Sequence, residues 1–117
     1  MENVKFRAWH KNKSKMIYGP TDGVISSPWI LSLCQSCFMD PMQFVGLYDK
    51  NDKEIYEEDI AFCHDEDFHD FIGVVKFKNG HFMIDDNFTS HYFLQDFEIE
   101  VIGNIYENSG LLKRNTP

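Results

Sequence analysis

Apolar and polar residues alternate along most of this chain, and the alternation predicts short strands. Val4, Phe6 and Ala8 interleave with Lys5 and Arg7 up to Trp9, the period-two pattern of a strand with one buried face. The polar run His10 to Lys15 reads as a turn, and Met16 to Tyr18 returns as the second arm of an opening hairpin. Gln43 to Tyr48 reads as a strand, DKNDKE at 49–54 as an exposed turn, Ile55-Tyr56 and Ile60 to Cys63 as further strand, and His64 to Asp70 as an acidic loop. Asn79-Gly80 supplies the two positive φ values of a type I′ turn between Val74 to Lys78 and His81 to Asp85. A two-residue loop pairs Lys78 with His81, Phe77 with Phe82 and Val75 with Ile84, which puts Val75, Phe77, Phe82 and Ile84 on one apolar face. A polar loop follows near Asp85 to Asn87. Phe97, Ile99 and Val101 then alternate with Glu98 and Glu100 as a last strand, and Leu111-Leu112 suit a terminal helical turn.

One stretch breaks the pattern. Ser27-Pro28 is a helix start, because serine accepts a free backbone N–H and proline loses nothing at the first helical position. Trp29 to Met39 is then read as a helix stopped by Asp40-Pro41. The competing reading is a pair of buried strands, since WILSLC is as apolar as a core strand. The expected fold is mainly β: a small antiparallel β-barrel, an SH3-like barrel being one form of it, with a short helical insert and a C-terminal helical turn. The 117 residues suit one domain, 1–117, with a variable insert at about 20–42.

Composition supports a folded chain. The hydrophobic fraction of 43%, with 15% aromatic residues, is too high for a disordered one. The N-terminal segment MENVKFRAWHKNKSKM is charged where a signal peptide is apolar, and no apolar run approaches the roughly 20 residues that span a bilayer, so the expected location is the cytoplasm, away from membranes. The odd count of Cys34, Cys37 and Cys63 suits a reducing compartment. The net charge of -8 argues against broad attraction to nucleic acid or anionic lipid. Residues 1–15 nevertheless carry Lys5, Arg7, Lys11, Lys13 and Lys15 against Glu2, whereas eight acids and no Lys or Arg lie between Glu54 and Asp70. A basic end can meet an acidic stretch within the fold or in a neighbouring subunit, although two solvated faces are the simpler reading.

Four ordered segments carry a resemblance: VKFRAWHKNKSKM at 4–16, QFVGLYDKNDKEIYEEDI at 43–60, GVVKFKNGHFMID at 73–85 and EIEVIGNIYENSGLL at 98–112. They resemble the YopX family of phage and prophage proteins, whose members look like GL-DKNGKEIYEGDI and VIGNIYENPELL at the second and fourth. The chain departs from that pattern at Asp52 and Glu58, where the family usually has glycine, and at Ser109-Gly110, where it usually has Pro-Glu. Glycines there imply positive φ, which aspartate tolerates better than glutamate. The resemblance implies a phage-borne protein containing a β-barrel, of uncharacterised activity, and supplies no catalytic residues.

Little in the chain points to chemistry. Cys34 and Cys37 form one CxxC, and Cys63 with His64 or His69 can complete a tetrahedral metal set, but a single CxxC is more often apolar core packing. The acids and imidazoles of His64 to Asp70 form a solvated connection more often than a cation site. Counted from Asp49, Glu54 stands where a calcium loop needs glycine and Ile60 where it needs glutamate. Hydrolase signatures and phosphate-cradling glycine motifs are absent, so no cofactor is expected and the chain reads as non-enzymatic. Lys5, Arg7, Lys76 and Lys78 take outward positions near Trp9 and His81, as a small barrel binding single-stranded nucleic acid would have them. Four cations on a chain of this charge are few. A module that binds a protein partner, or its own copies, needs only exposed sheet edges and apolar anchors, and is the preferred reading.

Overall fold

A computed structural model of the chain describes residues 5–18, 39–86 and 91–115. They form nine strands and two 3₁₀ turns, with no α-helix among the described residues. Two compact units result, residues 1–46 and 47–117.

In the first unit, β1 (Phe6–His10) lies between β2 (Lys15–Tyr18) and β3 (Met39–Tyr48), antiparallel to both. Ala8 faces Ile17 on one side and Pro41 on the other. Ala8 and Met39 are buried, with Phe6 and Ile17 packed against them, so the opening hairpin forms as its alternation predicts. Met39 was expected to close a helix, but it opens a strand. The restriction that proline places on the residue before it, which ends helices, also favours extended backbone, and Asp40-Pro41 runs straight along β1. The rest of the helix reading, including Cys34 and Cys37, lies outside the described residues.

In the second unit, the chain turns after Tyr48 into β4 (Glu54–Tyr56), then β5 (Asp59–Asp65), β6 (Phe68–Lys78), β7 (His81–Asp85), β8 (His91–Phe93), a 3₁₀ turn (Leu94–Asp96) and β9 (Glu98–Asn104). A five-stranded antiparallel sheet results, in the order β8-β7-β6-β5-β9. Register shifts between Ile60 and Ala61 and between Cys63 and Asp65 place bulges on β5, and bulges bend and twist a strand, giving the curl of a barrel wall. Ile60, Ala61, Val75 and Ile84 are fully buried, and Phe71, Tyr92 and Phe97 meet with ring centroids 5.0 to 5.6 Å apart. The chain closes on a 3₁₀ turn, Ser109–Asn115, where a terminal helical turn was expected.

Asn79 and Gly80 have φ of 53° and 82°, and the register Lys78–His81, Phe77–Phe82, Val75–Ile84 is the one the turn predicts. The buried face stops short of the tip, however. Val75 and Ile84 are buried, but Phe77 is 54% exposed and stacks edge-on against Phe82 at 5.0 Å. The expected acidic loop is also corrected, because His64 to Asp70 extends β5 and β6 around a turn at Glu66-Asp67. The Asp65 carboxylate accepts the Asp67 N–H, which supplies locally the turn chemistry that glycine would otherwise provide.

Candidate interaction surfaces and the residues that frame them

Side-chain carboxylates and amides build the turns of the second unit. Asp49, expected on an exposed turn, is buried: its Oδ1 accepts the N–H groups of Asn51 and Lys53, and its Oδ2 accepts that of Val101 at 2.9 Å. Lys50 N–H donates to the Ile99 carbonyl, so the 49–50 backbone and the Asp49 carboxylate together cover this part of the outer edge of β9. Burial opposes the Asp49 charge, but the hydrogen bonds from Val101, Lys53 and Asn51 and the charge of Lys53 outweigh it, so the carboxyl titrates below its ordinary value. Asp59, also buried, accepts the Tyr56 N–H and closes the β4–β5 turn.

Both positions where glycine was expected have left-handed backbone, with φ of 63° at Asp52 and 69° at Glu58. Glu58 is held there by three partners. Its N–H donates to Val75 O, its carbonyl accepts Ile105 N–H, and its carboxylate meets Lys76 Nζ at 2.8 Å. In the fourth family-like segment, Asn104 Oδ1 accepts the N–H groups of Tyr106 and Glu107, while Asn108 Oδ1 accepts that of Asn104. Gly103 leaves room for this, since a Cβ there would lie 2.6 Å from Asn108 Cγ.

Of the candidate metal ligands, Cys63, His64 and His69 are described, and Cys34 and Cys37 lie outside the described residues. Cys63 is buried, its Sγ lies 3.8 Å from the Ala61 carbonyl, and burial pushes its thiol pKa up to about 12. His64 is exposed and its Nδ1 lies 2.6 Å from Asp70 Oδ1, a hydrogen bond and charge that raise the imidazole pKa. His69 is exposed, with its ring 6.5 Å from that of Phe71. Among the described residues no three His, Cys, Asp or Glu side chains are grouped to hold a metal ion.

The candidate nucleic-acid residues divide between the units. Lys5 Nζ sits 5.4 Å above the Phe44 ring. Arg7, expected outward, is buried, with its guanidinium 5.9 Å from the Tyr18 ring centroid, a cation over an aromatic face. Lys76 is held by Glu58, whereas Lys78 is exposed at the β6–β7 tip.

Among the described residues, two surfaces of the second unit offer apolar groups to solvent. One is a cleft of about 610 Å³ floored by Ile55, Leu94, Phe97 and Ile99, with Leu47 (38% exposed) and Tyr48 (55%) at its lip and Lys50 and Glu98 beside them. Asp49 fixes this cleft by tying the chain after Tyr48 to β9. The other is the β6–β7 tip, with Phe77 and Phe82 on one face and Lys78, His81 and Phe93 on the other, the His81 and Phe93 rings meeting edge-on at 5.8 Å. Sequence reasoning missed the cleft, whose walls come from segments about 50 residues apart. No helix among the described residues is long and apolar enough to cross a membrane.

Among solved structures, the chain is similar to protein yopX from Bacillus subtilis, at 22% identity and a TM-score of 0.62 over 95% of this chain and 98% of that one. It is also similar to protein EF1440 from Enterococcus faecalis, at 23% identity and a TM-score of 0.60 over 94% and 98%. At these identities the likeness is one of fold. None of the curated proteins matches. The family model described as YopX protein matches residues 5–113, and the chain belongs to the YopX family.

Proposed function

We propose that this protein is a non-enzymatic phage or prophage accessory module that acts in the host-cell cytoplasm by binding another protein. The apolar cleft with Leu47 and Tyr48 at its lip carries this reading. A buried floor with an exposed tyrosine beside it suits one apolar side chain of a partner, and such aromatic anchors supply much of the energy at protein interfaces. The experiment compares the tagged wild-type chain with a Leu47→Ala/Tyr48→Ala variant as baits in host lysate. A partner held by the wild type and lost by an equally stable variant is the expected result. Equal capture by both, or capture by neither, overturns it.

A second reading, binding of single-stranded nucleic acid, is favoured by Lys78, His81 and Phe93 on one sheet face, where a base can stack on the ring and a phosphate can meet the ammonium. Anisotropy with single- and double-stranded oligonucleotides at low salt tests it. Non-specific contact would register at about 10⁻⁴–10⁻⁶ M, and its absence there removes this reading.

A further inference from the structure

The two ends of β6 carry opposite charge. At its start, the turn it shares with β5 exposes Glu66, Asp67 and Asp70, with Asp65 beside them and Glu98 opposite His64 on β9. Two imidazoles stand among these acids, His64, which is engaged by Asp70, and His69, whose ring lies 6.5 Å from that of Phe71, so the turn carries more acids than basic groups. Ten residues on, the turn shared with β7 exposes Lys78 and His81, with Phe77 54% and Phe93 49% exposed on its two faces. At about 3.3 Å per residue the two turns stand roughly 33 Å apart along one strand, too far to meet within the unit.

We propose that the chain self-associates head to tail, with the basic, aromatic β6–β7 turn of one copy seated against the acidic β5–β6 turn of the next. This deepens the protein-interaction reading by naming one partner surface, and it uses the tip rather than the cleft. Charge complementarity selects the occupant. The tip presents an ammonium, an imidazole and two aromatic rings, and the chain carries its matching anionic group at the far end of the same strand. A nucleic acid and a second copy both approach a chain of net charge -8, and what distinguishes the second copy is that its acidic turn is present at the same concentration as the tip. Exposed ion pairs bind weakly by themselves, so Phe77 and Phe93 supply the contact area and the charges set orientation. The two surfaces differ, so the contact is heterologous, and unless its rotation closes a ring it grows as an open series.

The test uses sedimentation velocity on the full chain across concentration and salt. Wild type is expected to form species that grow with concentration and dissociate as salt rises from about 0.05 M to about 0.5 M, over which the screening length shrinks from roughly 14 to 4 Å. Lys78→Glu, and separately Glu66→Lys/Asp67→Lys, should each abolish growth. Mixed together they should resume growth as alternating copies, because the reversed tip of one variant complements the reversed turn of the other while the remaining tip and turn pair as in the wild type. Melting temperatures near wild type keep a folding failure from imitating the result. A wild type that stays monomeric, or self-association unchanged in both variants, overturns the proposal. If Tyr48-dependent partner capture persists alongside a monomer, the head-to-tail contact is lost and the interaction reading stands. Oligonucleotide binding lost on Lys78→Glu without self-association assigns the tip to nucleic acid and overturns it equally.

Discussion

Glu58 offers a sharp test of the physical reading, because a glutamate occupies backbone that glycine prefers. Its φ of 69° costs a side-chain-bearing residue about 1–2 kcal/mol. Its carboxylate recovers part of this through Lys76, a pair whose side chains are 24% and 36% exposed and which therefore contributes only about 0.2–1 kcal/mol. Two substitutions separate these effects. Glu58→Ala loses the pair and keeps the strain, so it should destabilise by about 0.5 kcal/mol. Glu58→Gly also loses the pair but relieves the strain, against about 0.5–1 kcal/mol for the extra freedom of unfolded glycine. The glycine variant should therefore be more stable than the alanine variant by about 0.5–1 kcal/mol, the reverse of the order in regular strand or helix, and should melt about 2–4 °C higher. Urea unfolding of both variants, analysed for midpoint and slope, measures the difference. An alanine variant equal to or more stable than the glycine variant would show that the backbone at position 58 is not strained.

Other consequences follow from the same turns. Asp49→Asn keeps acceptors for Asn51 and Lys53 but can oppose an amide N–H to that of Val101, so it should cost about 1–3 kcal/mol at neutral pH by denaturant unfolding. Asp49 has a folded pKa below its ordinary 3.8, so its contribution is fully present above about pH 4 and is lost as pH falls through the folded value; the asparagine variant should lose less stability over that acid range than wild type does. Gly103→Ala should destabilise by about 1–3 kcal/mol by pushing Asn108 off the Asn104 N–H, while Gly110→Ala, with nothing within 4 Å, should be near neutral. Peptide mapping after brief alkylation at neutral pH should find Cys63 unlabelled until the chain is unfolded, and rapid native labelling would contradict the burial that raises its thiol pKa to about 12.

What could be read from residues alone were the contacts set within a few positions. Asn79-Gly80 fixed a register because both positive φ values and the loop length are local properties. The left-handed backbone at Asp52 and Glu58 was signalled by the family resemblance, through the glycines usual there, and by nothing in the two residues themselves. Asp49 was not legible, since the N–H that buries it belongs to Val101, 52 positions away. Arg7 follows an outward alternation yet is buried, on a strand flanked by β2 and β3 and with its guanidinium over the Tyr18 ring, a neighbour that a polar-or-apolar code does not register. Phe77 errs in the opposite sense: its spacing marks an inner face, but the hairpin runs past the layer that would cover it. The acidic loop proved to be strand because inter-strand bonding continues through polar residues whose side chains reach water.

These errors bear on where function resides. The residues that make the family-like segments recognisable are largely turn-makers: Asp49 and Asp59 capping backbone N–H groups, Asn79-Gly80 turning a hairpin, Gly103 and Asn104 admitting and holding the chain after β9. Each has a sufficient structural task, so the resemblance across these segments is one of scaffold. Tyr48 at the cleft lip and Phe77 and Phe93 at the hairpin tip differ from these in leaving apolar surface in water. Stability gives no reason for that exposure, and interaction does. Substitutions at the turns should therefore change melting temperature ahead of binding, whereas substitutions at Tyr48, Phe77 or Phe93 should change binding with melting temperature nearly constant.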